Sequence, residues 1–158
     1  MQRVGFGGGC HWCTEAVFQS LRGVHEVEQG FMRATEPNQA WSEAVRVTFD
    51  PEQISLEVLL EVHLRTHSST NPHAMREKYR SAVYAFTEPQ AKQAQQLITQ
   101  LQTQFEDPLI TQVLDYQGFK PSLPQFQNYY RNGPSKPFCQ RYIDPKLDLI
   151  RAEFSDFA

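Results

Sequence analysis

The stretch Arg3-Val4-Gly5-Phe6-Gly7-Gly8-Gly9-Cys10-His11-Trp12-Cys13-Thr14-Glu15 decides how this chain is read. Arg3 to Phe6 has the make-up of a short strand that stops at the glycines, and Trp12 to Leu21 that of a helix with Val17, Phe18 and Leu21 at core spacing. Cys10 therefore stands at a helix N-terminus. A free thiol is only about 3% thiolate at pH 7, so a nucleophilic cysteine needs its anion stabilised. Unpaired backbone N–H groups and the helix dipole favour that anion by roughly 0.3–1 kcal/mol on a surface and up to ~2 kcal/mol when partly buried. The glycines lack side chains and let a substrate approach the sulfur closely.

Cys10 and Cys13 form a Cys-x-x-Cys pair able to close as a disulfide, with the N-terminal member the expected attacker. A zinc site would need four ligands, for which only Cys139 and scattered histidines remain, so no metal is expected. A thioredoxin-like oxidoreductase shares the pair but carries it within a βαβ context after a longer N-terminal segment. Cysteines packed as small hydrophobes are common singly and much less so as a pair behind three glycines. A redox-active Cys10 is the reading that uses all of these features.

Outward from this segment, Val24 to Phe31 alternates weakly, and Glu43 to Phe49 alternates clearly, with Val45, Val47 and Phe49 on one face. Ser55 caps a helix carrying Leu56, Leu59, Leu60 and Leu64 and ending near His67. Ser68 to His73 is rich in turn formers and leads through Tyr79 into a β-prone run from Ser81 to Phe86. Thr87 caps a polar helix reaching about Phe105, and Ile110 to Tyr116 is a further strand. From Gly118 onward the chain reads as loop-rich, with four prolines between Pro121 and Pro137 and an aromatic cluster of Phe126, Tyr129 and Tyr130. Strands and helices mix without a βαβ rhythm, so an α+β two-layer arrangement is expected, helices packed on a mixed sheet.

The 158 residues fit one catalytic domain, 1–158, with 40% hydrophobic and 21% charged residues. A net charge of −3 without a basic run excludes the footprint of a nucleic-acid or membrane-surface binder. With neither an apolar leader nor a run of the roughly 20 apolar residues that spans a bilayer, a cytoplasmic monomer is expected.

Gly9-Cys10-His11-Trp12-Cys13-Thr14-Glu15 resembles the signature of peptide methionine sulfoxide reductases of the A type, Gly-Cys-Phe-Trp followed often by Cys-x-Glu. Leu21-Arg22-Gly23-Val24, Ser42 to Val47, Asp50 to Ser55, Tyr79 to Tyr84, Gln127 to Tyr130 and Pro145-Lys146-Leu147 are similar to further segments of that family, so the likeness spans nearly the whole chain. The resemblance implies a ferredoxin-like fold and reduction of methionine (S)-sulfoxide, free or in proteins. It also implies regeneration by thioredoxin or another dithiol, with no bound cofactor.

By the same resemblance, Cys10 attacks the sulfoxide sulfur, Glu43 is the acid that helps expel oxygen, and Tyr79 hydrogen-bonds that oxygen. Trp12 walls the methyl pocket, and Cys13 or, alternatively, Cys139 resolves the sulfenic acid. A carboxylic acid serves near neutral pH only where burial raises its pKa, which suits Glu43 in an apolar-rich strand. Departures from the pattern place His11 where the family has Phe, Phe31 where it has a second tyrosine, and Ala74, with His73 beside it, where it has Asp. His11, Phe31 and His73 thus join Trp12 as expected substrate-binding residues. Two other readings stay open, a reductase of a different small sulfoxide and a non-catalytic methionine-binding or redox-sensing module.

Overall fold

Cys10 takes the N-cap position of helix α1 (His11–Gln19), with extended dihedrals of φ −60° and ψ 126°. Its carbonyl accepts the amides of Cys13 and Thr14 at 3.1 and 3.2 Å. The computed structural model describes residues 1–72, 76 and 78–158. Strand β1 (Gln2–Gly7) precedes α1, and β2 (Val24–Ala34) and β3 (Ser42–Phe49) follow it. Helix α2 (Leu56–Thr66) is capped by Ser55 Oγ, which accepts the Val58 amide at 3.2 Å. Strand β4 (Ala82–Ala85) leads to α3 (Glu88–Leu101), capped by Thr87, and β5 (Gln112–Pro121) completes the sheet.

The chain is α+β with a mixed sheet, as expected, but the open ferredoxin-like sheet is corrected to a closed barrel in the order β1-β3-β2-β5-β4 and back to β1. Four-residue β4 makes the closure, pairing antiparallel with β1 and parallel with β5. Register shifts in β2 at Val24/Glu26 and Arg33/Ala34 supply local curvature. The narrow interior holds Met32, Ala34, Ala44, Ala82 and Tyr84. It has no room for a side chain on β1 there, since a Cβ on Gly5 would fall 2.4 Å from Met32 Sδ and 2.8 Å from Tyr84 Cβ.

The outward face, through Val4, Phe6, Val45, Val47, Phe49 and Val83, packs against the helices in the main core. Glu43 shares the β3 parity of Val45 and Val47, and its register partner on β2 is Phe31. The loop-rich expectation beyond Gly118 is also corrected. Strand β5 continues to Pro121, and α4 (Tyr129–Asn132), a π-helical turn (Cys139–Ile143) and α5 (Asp144–Glu153) follow. Pro145 lies in the first turn of α5, where a missing N–H costs nothing, and Leu147 and Ile150 are buried on its inner side. None of the described helices is long and apolar enough to cross a membrane.

Candidate active site

The three cysteines are free thiols, with Cys10 half-buried and Cys13 and Cys139 buried. The neighbouring Cys13 thiol, more than any other cause, holds the Cys10 thiol below its ordinary range. The amides of Trp12 and Cys13 at the helix start act in the same direction, while burial and the charge of Glu43 oppose it. Cys13 is pushed far up by the neighbouring Cys10 sulfur and by burial. Cys139, in the π-helical turn, is raised by burial.

Beneath the pair lies a small cavity of about 60 Å³ bounded by Gly9, Cys10, Cys13, Thr14, Val17, His63, Thr66, His67 and Lys146. Lys146 Nζ donates to the Thr66 carbonyl, and burial lowers its pKa against the pull of the two thiols. The rings of His63 and His67 stack at 4.0 Å. His63 Nε2 donates to the Gly7 carbonyl at 2.8 Å, and His67 Nε2 meets Ser81 Oγ at 2.8 Å. Burial holds His67 down to about 4 and His63 well below its ordinary value. Gly8 must lack a side chain here, because a Cβ would come within 2.4 Å of the His67 ring.

Glu43, 7% exposed at the start of β3, turns its carboxyl onto the N-terminus of α1. Oε1 accepts the His11 backbone N–H at 3.2 Å and lies 3.4 Å from His11 Nε2, while Oε2 lies 3.8 Å from Lys78 Nζ. His11 Nδ1 donates to the Gly30 carbonyl at 2.8 Å, and its ring meets Phe31 edge-on at 5.3 Å. Cys10, His11, Glu43 and Phe31 are thereby gathered at one helix end.

Trp12 stacks on Tyr129 at 4.2 Å and 6° and receives the edge of Phe138 at 5.6 Å. A cavity of about 480 Å³ opens beside it, lined by His11, Trp12, Phe31, Lys120, Pro121, Ser122, Leu123 and Phe126. The expected substrate-binding residues His11, Trp12 and Phe31 thus share one hollow, while Cys10 borders the smaller cavity. Tyr79 enters through its neighbours. Its carbonyl accepts from Arg76 Nη1 at 2.9 Å, the same group that grips the Gly8 carbonyl at 2.7 Å. Lys78 Nζ lies 5.1 Å from its ring. His73 and Ala74 lie outside the described residues.

Sequence reasoning gives no role to Lys146, though it lies in the family-like Pro145-Lys146-Leu147 segment, and does not single out Lys78 or Lys120, which reach the site through tertiary packing. Nor does it give Glu15 a role. That carboxyl, fully buried, accepts Gln29 Nε2 at 2.9 Å and the amides of Asn128 and Tyr129 at 2.9 and 3.1 Å. It pins the Tyr129 loop to α1, and burial raises its pKa against these bonds. The Cys-x-Glu spacing in the sequence was the available signal.

The family profile described as peptide methionine sulfoxide reductase matches residues 2–157. The chain is 39% identical over 167 residues to the peptide methionine sulfoxide reductase MsrA of Deinococcus radiodurans, covering 96% of this chain and 81% of that one. Its fold is similar to Mxr1 from Saccharomyces cerevisiae in reduced form, with a TM-score of 0.78, 18% identity and coverage of 87% and 88% of the two chains. Mxr1 in complex with Trx2 superposes with a TM-score of 0.64 at 18% identity, covering 81% and 84%.

Proposed function

The chain belongs to the peptide methionine sulfoxide reductase family, and on that premise we propose that it reduces methionine (S)-sulfoxide, free or in proteins, through Cys10. One observation carries the assignment of roles. The same helix end presents a thiol held below its ordinary range and, on the adjacent amide, the buried carboxyl of Glu43. A sulfoxide oxygen is a poor leaving group until protonated, so a nucleophile needs an acid within reach.

Cys10 thiolate attacks the sulfoxide sulfur while Glu43 delivers a proton to the oxygen. The S–O bond of the substrate breaks as oxygen passes to Cys10, leaving methionine and a Cys10 sulfenic acid. The substrate sulfur gains the two electrons that the Cys10 sulfur loses. Cys13 thiol then displaces the sulfenic oxygen as water and closes a Cys10–Cys13 disulfide. Cys13, in the first turn of α1 and bordering the same small cavity as Cys10, is favoured as resolver over Cys139. Trp12, His11 and Phe31 line the substrate hollow, with Tyr79 supplying a hydroxyl to the oxygen.

A dithiol reduces the disulfide. Thioredoxin is the proposed donor, in keeping with the Mxr1–Trx2 complex. Residues 1–158 act as one catalytic domain without a bound cofactor, in the cytoplasm. The test is to mix reduced protein with both epimers of free and peptide-bound methionine sulfoxide and with a small dialkyl sulfoxide. One sulfide per two thiols lost, confined to the S epimer of methionine sulfoxide, is expected. Faster reduction of the dialkyl sulfoxide would move the assignment to a different substrate, and thiol loss without sulfide would reject it.

A further inference from the structure

The hollow beside Trp12 is edged by exposed apolar side chains for which the chemistry at Cys10 has no use. Leu123 is 60% and Phe126 40% exposed on its wall, and Trp41, 39% exposed, stands next to it across Lys120. The wall is fastened from behind. Gln127 accepts the Gln29 amide at 3.1 Å and donates to the carbonyls of Gln29 and Ser122 at 2.8 and 3.2 Å. The Ser122 amide in turn donates to the Gln29 carbonyl at 3.0 Å, so the segment from Pro121 to Phe126 is tied to β2.

Two exposed cations complete this face. Lys120 is the register partner of Phe31 and Arg33 that of Gly118, and Phe31 and Arg33 alternate along β2, so both cations share the side of the sheet that Phe31 occupies. Lys120 Nζ lies 5.5 Å from the centre of the Phe31 ring and 5.3 Å from that of Trp41, and Arg33 Cζ lies 5.2 Å from the same Trp41 ring. Gly118 leaves room for this, since a Cβ there would crowd Arg33 Nε at 3.2 Å. In a chain of net charge −3, no carboxylate among the described residues comes within 4.0 Å of either cation, whereas Lys78 is engaged with Glu43. The aromatic faces hold the two cations in place without cancelling their charge.

We propose that this face selects methionine sulfoxide carried in acidic peptide segments, an inference that rests on the proposed function and narrows its substrate class. The sulfoxide side chain enters the hollow, the peptide lies against Leu123, Phe126 and Trp41, and Lys120 and Arg33 take the carboxylate of a neighbouring Asp or Glu. An extended peptide advances about 3.3 Å per residue, so an acid one to three positions from the sulfoxide reaches one cation or the other. Neither cation bears on the reacting atoms, so the preference falls on KM and not on kcat. Free methionine sulfoxide also carries a carboxylate, but it is too short to cover the exposed apolar rim, which is the surface a peptide occupies.

The experiment compares kcat/KM, with a small dithiol as reductant, on short peptides capped at both ends. Each has a central methionine (S)-sulfoxide and Glu, Gln or Lys two positions to either side, and N-acetylmethionine sulfoxide and its methylamide are run beside them. The unaltered protein should favour the Glu over the Gln peptides by roughly threefold to tenfold, through KM, and the excess should fade as salt is raised. With Lys120→Gln and Arg33→Gln combined the ratio should fall to about one. Lys120→Glu should turn the preference toward the Lys peptides, and Lys120→Arg should keep it on Glu. Each ratio is taken within one protein, so a general loss of activity does not disturb it. Equal values for Glu and Gln peptides in the unaltered protein, a preference insensitive to salt, or one that survives the double substitution overturns the proposal. So does a preference for N-acetylmethionine sulfoxide over its methylamide with none for the Glu peptides, which would assign the cations to the free amino acid. An unaltered protein that reduces none of these sulfoxides rejects the proposed function itself.

Discussion

The Cys13 thiol is the largest of the influences that lower the Cys10 thiol, and this makes a single side chain serve two stages of the proposed cycle. Cys13→Ser keeps a hydroxyl donor but removes the resolver. It should form about one equivalent of sulfide and then stall with thioredoxin. Continued turnover would transfer the resolving role to Cys139. Cys10→Ser should abolish sulfoxide reduction, and full activity would reject the nucleophile. Glu43→Gln keeps the shape of the carboxyl without its exchangeable proton, and the chemical step should slow by roughly 10²–10⁴-fold. An unchanged single-turnover rate would require another acid. At this scale the sequence was informative where signals are local. A glycine run followed by a helix start identifies Cys10 from spacing alone, whereas Glu43 stands out only through family likeness. Its link to His11 depends on β3 being registered against β2, which no local pattern records.

Helix α1 carries the nucleophile at one end and, one turn further on, the buried carboxylate that anchors the Tyr129 loop. Glu15→Gln substitutes an amide N–H pair for an acceptor facing backbone N–H groups. A loss of about 1–3 kcal/mol in urea unfolding is expected, together with a loosened Trp12–Tyr129 stack visible as a change in tryptophan fluorescence. Stability equal to wild type would show that the loop is held otherwise. Gly5→Ala puts a methyl group into the barrel interior against Met32 and Tyr84, and overpacking of this kind costs about 1–3 kcal/mol. Most elements were legible because α2 and α3 announce themselves through Ser55 and Thr87 caps and a clear apolar stripe. Helix α5 was hidden by Pro145, which reads as a breaker in sequence but sits at the tolerated first turn. The order of strands was hidden by β4, whose four residues make two different kinds of pairing.

Across the whole molecule, the stacked His63–His67 pair joins α2 to β1 and to the start of β4 through Gly7 and Ser81. His67 is held down to about 4 against an ordinary 6.5, chiefly by burial. An imidazole depressed on folding contributes stability above the unfolded value and loses it as pH falls through the folded one. The window therefore runs from about 6.5 down to about 4, with a loss on the order of 3 kcal/mol at full titration. Glu15, raised by burial, acts in the opposite sense, contributing stability at low pH and losing it as pH rises. The slope of Tm between pH 6.5 and 4 should flatten in His67→Gln, and an unchanged slope would place the acid sensitivity elsewhere.

The barrel has a consequence of another sort. Each described strand has a neighbour on both flanks, but over only part of its length: β5 pairs with β4 through Gln112–Asp115 and with β2 from Tyr116 to Pro121. The rows of amides and carbonyls left open are short stretches of single strands, which offer another chain little length to pair with.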